Sequence, residues 1–232
     1  MRGTALHSAI ERLVPSKRTL QLAGFVLILS LASDALAQGA STAPSHNVHP
    51  PSKNPWAFTL ITDGYIIPDQ DGFANPNFTA DHGWLHLEAR YNSENLRTGS
   101  AWIGYNFTAG KKMILNVTPI IGGVFGRTNG VAPGCEASLI YKKVEASISN
   151  EFVFATDKSG SFYYNWPQVT YSPVDWLQLG FVAQRTKAYR SSLDTQPGFL
   201  VGLSHKKMEV TSYVFNAGLA TPTVVLELGF SF

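Results

Sequence analysis

Residues 223–232 read TVVLELGFSF, and their period of two constrains the chain more than any other stretch. Successive side chains on a strand point to opposite faces. Val224, Leu226, Leu228, Phe230 and Phe232 therefore share one face, with Val225, Glu227, Gly229 and Ser231 on the other. The first face carries no polar side chain. Such a strand needs an apolar medium on one side and a more polar one on the other. A closed barrel in lipid and a soluble β-sandwich both provide that arrangement. The rest of the chain decides between them.

Arg12, Lys17 and Arg18 precede an apolar run, LQLAGFVLILSL, at residues 20–31. The run is shorter than the ~20 residues of a spanning helix and fits the apolar region of a secretory signal. Ala35-Leu36-Ala37 supplies a small-x-small cleavage site. The expectation is a cleaved signal peptide at 1–37 and a mature start at Gln38. Residues 38–54 are rich in Ser, Pro and Ala and read as a disordered leader. His46 and His49 within it read as solvated side chains. Residues 55–232 form the folded domain.

The chain has 18 Lys and Arg and 16 Asp and Glu; four and two of these fall in 1–37, so the remainder is neutral. Nothing resembles the basic stripe of a nucleic-acid binder. Cys135 is the single cysteine, which excludes a disulfide framework. It stands far from the signal, so no lipid anchor is expected. No later segment reads as a transmembrane helix. A membrane protein built from this chain must close its sheet, because lipid offers open backbone groups no partner.

From residue 55 onward, strand patterns alternate with turn signals. Leu85, Leu87, Ala89 and Tyr91 oppose Trp84, His86, Glu88 and Arg90. Ala101, Ile103, Tyr105 and Phe107 oppose Trp102, Gly104, Asn106 and Thr108. Met113, Leu115 and Val117 oppose Asn116 and Thr118, and Cys135, Ala137, Leu139 and Tyr141 oppose Glu136 and Ser138. Val144, Ala146, Ile148, Phe152 and Phe154 oppose Glu145, Ser147, Ser149 and Glu151, with Asn150 breaking the apolar face and hinting at a bulge. Leu177, Leu179, Phe181 and Ala183 oppose Gln178 and Gln184. Pro76 makes 73–80 a weak strand, demoted or bulged, and a bulge is expected at Pro167, where the face of Phe162, Tyr164 and Trp166 gives way to that of Val169 and Tyr171. The fold class expected is all-β: a single closed antiparallel transmembrane β-barrel of about 12 strands, with 10 as the alternative.

Working back from Phe232, with both ends periplasmic, the outside loops fall at 68–72, 92–99, 126–134, 156–160, 188–197 and 216–222. The periplasmic turns fall at 81–83, 109–112, 142–143, 172–175 and 206–207. The pairs Lys111-Lys112, Lys142-Lys143 and Lys206-Lys207 all land on the periplasmic side. Three features favour lipid over a soluble core: one face of most strands lacks charge, the chain ends in an aromatic, and aromatics sit near strand ends. Trp56, Tyr91, Tyr105, Tyr141, Trp166 and Phe232 are the expected girdle.

The polar face would line the lumen. The residues expected there are His86, Glu88, Arg90, Asn106, Asn116, Glu136, Glu145, Glu151, Gln178, Glu209 and Glu227, with Trp84, Trp102 and Trp176 narrowing it. This acid-rich lining reads as a narrow porin-like channel for small polar or cationic solutes. The alternative is a plugged structural or ligand-binding barrel working through its extracellular loops. An outer-membrane hydrolase is disfavoured: there is no His-x-Ser pair, and Ser204 and His205 point to opposite faces. No phosphate loop, metal cluster or calcium loop is present in the sequence. No catalytic residue, cofactor or metal is therefore expected.

The alternating closing strand ending in Phe resembles that of bacterial outer-membrane β-barrels. LHLEARYN, TGSAWIGYNF, GGVFGRTNGVAPG and YNWPQVTYSPVDW resemble segments of an uncharacterised group of Gram-negative barrel proteins. The resemblance covers most of 56–232. It implies residence in the outer membrane, contact with its lipid, and recognition by the barrel-insertion machinery through Leu226, Leu228, Phe230 and Phe232. It supplies no substrate. A monomer is the favoured oligomeric state.

Overall fold

The computed structural model describes residues 56–68, 71–158, 160–188, 194–218 and 222–232, apart from the side chains of 185–188 and 194. The expected signal peptide and leader lie outside the described residues. The strands are β1 (Ala57–Ile66), β2 (Phe73–His82), β3 (Leu85–Tyr91), β4 (Thr98–Tyr105 continued by Phe107–Gly110), β5 (Met113–Gly126) and β6 (Gly130–Tyr141). They continue as β7 (Val144–Ala155), β8 (Phe162–Val174), β9 (Leu177–Ala188), β10 (Asp194–His205), β11 (Met208–Phe215) and β12 (Thr223–Ser231).

β4 is one strand because both its segments pair with β5 in a single register, Gly104↔Ile120 and Phe107↔Val117. Its interruption lies opposite the stretch holding Pro119, which has no N–H to give to the ladder. Each strand pairs antiparallel with its chain neighbours, and β1 pairs with β12 from Thr59↔Ser231 to Ile66↔Val224. The sheet is thereby a closed barrel of 12 strands. Phe58 and Phe232 exchange backbone hydrogen bonds at the seam.

One end of the barrel carries five two-residue turns, at 83–84, 111–112, 142–143, 175–176 and 206–207. The other end carries the connections 67–72, 92–97, 127–129, 156–161, 189–193 and 216–222. These are called the turn end and the loop end below. The expected loop 126–134 is mostly strand: β6 begins at Gly130, and Ile121↔Pro133 stands in register. The expected turns 172–175 and 109–112 are likewise shorter.

None of the three expected bulges forms. β2 pairs with β1 through Thr62↔Pro76, while its pairing with β3 stops at Asn77↔Arg90, so Pro76 never owes β3 an N–H. The β7–β8 register runs unbroken through Ile148↔Pro167 and Asn150↔Asn165. The register shift on β8 lies instead near the turn end, between Leu177 and Leu179 of β9.

The outside of the barrel is apolar. Leu60, Phe78, Ile103, Leu115, Ile121, Leu139, Val169, Leu179, Val201, Leu226 and Leu228 are all exposed, and Phe181 keeps 77% of its surface exposed. A continuous belt of this kind is far larger than the apolar patches of a soluble monomer and fits hydrocarbon. Aromatics gather at the turn end: Trp84 stacks on Tyr105 at 5.7 Å and Phe58 on Phe232 at 5.7 Å, with Trp56, Tyr141 and Trp176 also exposed. Trp84 and Trp176, expected in the lumen, therefore belong to this girdle. They sit in the turns rather than in the strands, where strict alternation no longer fixes direction. Trp166 is corrected the other way: it faces inward and is 4% exposed.

Candidate functional site: the barrel interior

The inward row of each strand places the site. On β3 it brings His86, Glu88 and Arg90 inside; His86 and Glu88 are buried and the Arg90 side chain is 9% exposed. Arg90 is the centre of the lumen. Its Nη2 donates to Glu88 Oε2 at 2.6 Å and approaches Glu136 Oε1 at 3.4 Å. Its Nη1 donates to Glu151 Oε2 at 2.7 Å and lies 3.8 Å from Glu94 Oε1. The guanidinium also stacks over Trp102, 4.5 Å from the ring centroid. Trp102 Nε1 donates to Ser100 Oγ, which donates on to Glu94. One cation thus serves four carboxylates from β3, β6, β7 and the loop after β3.

His86 is fully buried, with Nδ1 2.8 Å from Asp81 Oδ1 and Nε2 3.7 Å from Glu88 Oε2. Asp81 Oδ1 also accepts from Asn106 Nδ2, and Asn106 Oδ1 accepts from Thr118. A parallel chain runs from Thr108 to Asn116 to Ser138. Gln178 donates to Thr170, Ser204 to Glu209, and Tyr213 to Glu227. Glu145 is buried on the same inner surface. The inner face of the turn-end half is a hydrogen-bonded polar shell. Both ring nitrogens of His86 face carboxylates, so a hydrolase's nucleophile–base pair is not formed there.

The loop-end half differs. Trp166, Val182, Leu200, Tyr213, Phe215 and Val225 form one apolar cluster from β8 to β12, against which Tyr65 and Tyr164 pack. Trp102, Ile120, Val124, Ala132 and Val153 form another from β4 to β7, joined by Phe162. Between them lies a polar strip on β1, β2 and β3. A cavity of about 80 Å³ opens along it, lined by Asp63, Asn75, Asn77, Arg90, Glu136 and Tyr164 among others.

Asp63 stands in register with both Glu227 and Asn75. Asp63, Asp81 and Glu94 were missing from the sequence-based lining. Asp63 was in phase with Thr59 and Ile61, and Asp81 with Thr79, so parity carried both. Glu94 lies outside regular strand and gave no signal. The apolar clusters also had a signal: runs such as Ile120-Ile121, Phe152-Val153-Phe154 and Phe199-Leu200-Val201 are apolar on both faces.

A closed antiparallel barrel with a lipid-facing belt and a polar interior defines the outer-membrane β-barrel class. Among solved structures the chain is similar to the KdgM porin, with TM-score 0.51 and 9% identity, covering 75% of this chain and 99% of that one. A second structure, the KdgM porin in complex with disordered oligogalacturonate, has TM-score 0.50 and 9% identity, covering 75% and 98%. OmpT (in-vitro folded), an outer membrane protein of Vibrio cholerae, has TM-score 0.31 and 7% identity, covering 77% and 97%. No family model and no curated protein matches the chain. In fold, the chain is a β-barrel of the outer-membrane type.

Proposed function

We propose that this protein is a narrow, cation-preferring diffusion channel of the outer membrane, with no enzymatic step. The observation that carries the proposal is the charge of the lumen. Glu88, Glu94, Glu136 and Glu151 share Arg90, while Asp63, Glu209 and Glu227 add further acidic side chains. A lining with acidic groups in excess attracts cations and repels anions. Oligogalacturonate, a polymer of sugar acids, carries the wrong charge for it. The polar strip of β1 to β3 between the two apolar clusters provides the route. On this reading residues 1–37 direct export, 38–54 are a leader, and the loop end faces outward. The barrel works as a monomer, and its closing strand engages the insertion machinery.

Planar-bilayer recording tests it: discrete conductance steps are expected, with a reversal potential in a KCl gradient that favours K⁺. An anion-selective reversal potential would refute the charge argument. A second reading is favoured by the two apolar clusters, which fill much of the loop-end interior. On it the barrel is plugged, and its loops bind a partner. Absence of any conductance step would select that reading.

A further inference from the structure

We infer that the cavity on the polar strip is a binding site for the primary ammonium group of an organic cation. The inference rests on the cation-channel reading and names the class of solute that would dwell there.

Four shielded side-chain acceptors of the cavity-lining residues lack a hydrogen bond, against the donor Nε of Arg90, whose guanidinium is already committed to carboxylates. Asp63 Oδ1, Asn75 Oδ1, Asn77 Oδ1 and Glu136 Oε2 are all shielded from solvent and accept no hydrogen bond among the described residues. Asn75 is 8% exposed and Glu136 4%. Asn77 commits its amide nitrogen to Glu88, which leaves its oxygen as the free end. All four atoms are acceptors. A buried acceptor left without a donor costs about 1–3 kcal/mol, so the fitting ligand is one that only donates. An alkylammonium has three such N–H bonds and no acceptor.

Charge agrees with donor count. Arg90 lines the same cavity, but its guanidinium is already shared among Glu88, Glu94, Glu136 and Glu151. Asp63 and Glu227 then face each other across the β1–β12 seam, and two carboxyl groups directly opposite ionise together only where a cation joins them. A second cation beside Asp63 meets that condition. The remaining wall separates an organic ammonium from a hydrated metal ion. Tyr65 and Tyr164 line the cavity, and aromatic faces hold desolvated organic cations well. Two amide oxygens, two single carboxylate oxygens and aromatic rings are a poor shell for Ca²⁺ or Mg²⁺, which take six or more oxygen ligands. The volume of about 80 Å³ admits an ammonium head with its first methylenes, while a longer chain would trail along the strip.

The test is calorimetric titration of the folded barrel in detergent with putrescine, and separately with MgCl₂. One putrescine per barrel is expected to bind. Asp63→Asn and Asn75→Leu are each expected to weaken it at least tenfold, and Asp71→Asn, exposed outside the lumen, to leave it unchanged. Heat-modifiable gel mobility confirms that each variant is folded. Failure of the wild type to bind putrescine, equal binding by Asp63→Asn, or binding of Mg²⁺ that putrescine does not displace would overturn the inference. Bilayer recording separates it from the channel reading. Putrescine binding without conductance keeps the site and removes the channel, whereas conductance without putrescine binding removes the site alone.

Discussion

Replacing Arg90 with methionine should be among the most damaging single changes in the lumen. The variant keeps a similar length and packing against Trp102 but removes the charge. Two short charge-assisted hydrogen bonds disappear, to Glu88 at 2.6 Å and Glu151 at 2.7 Å. Each such bond contributes about 1.5–3 kcal/mol. The stack on Trp102 adds about 0.5–2 kcal/mol. Glu136 and Glu94 lose their nearest countercharge as well. Stripping one partner from a buried ion pair typically costs about 3–5 kcal/mol, and the two lost bonds alone reach the lower limit. A loss of about 3–5 kcal/mol is therefore expected. Urea unfolding of the barrel in phospholipid vesicles, followed by tryptophan fluorescence, reads it as a lowered midpoint. Adding Glu88→Gln and Glu151→Gln in the Arg90→Met background should recover at least half, because the damage lies in uncovered carboxylates rather than lost volume. An Arg90→Met midpoint equal to wild type, or a triple variant below the single one, would refute this account of the lumen.

Leu226→Arg places a charge on the lipid face of β12 and should disfavour insertion by about 2–4 kcal/mol, whereas Glu227→Gln should assemble normally; folded yield in vesicles compares them. Gly122→Ala should destabilise by about 1–3 kcal/mol, because a Cβ there would meet the Trp102 ring at 2.4 Å; near-ultraviolet circular dichroism should also register the displaced indole. Trp166→Ala should remove about 3–5 kcal/mol of packing and raise single-channel conductance by thinning the apolar cluster around Tyr213 and Phe215; an unchanged conductance would place the permeation route elsewhere.

The architecture was legible in the sequence wherever one face of a strand is uniformly apolar and the other polar. β3, β7 and β12 show this most plainly, and their alternation places His86, Glu88, Glu145, Glu151 and Glu227 within the described lumen. Alternation fails where both faces are apolar, as at Phe152-Val153-Phe154. There only closure of the sheet decides which side chains meet inside, so the loop-end clusters stayed hidden. Proline misled for a related reason. Pro76 and Pro167 are each in register with one neighbouring strand and stand where the pairing with the other is interrupted, a property of the pairing rather than of the local residues. Trp84, Trp166 and Trp176 carried ambiguous signals because tryptophan suits both a lipid boundary and a packed interior. The Arg90 network joins residues as distant as Arg90 and Glu151, and no local spacing announces it.

The loop-end clusters have a consequence before the barrel exists. Interior and exterior are both apolar there, so the extended chain exposes runs such as Phe152-Val153-Phe154, Phe199-Leu200-Val201 and Val224-Val225-Leu226 without a polar side to offer water. Short β-prone runs with little charge are aggregation-prone segments when unpaired. The mature barrel shields one side with lipid and the other with itself, but the chain in water has neither. Its residence time in the aqueous phase is the hazardous part of its life, and these runs are the places where unpaired chains would associate.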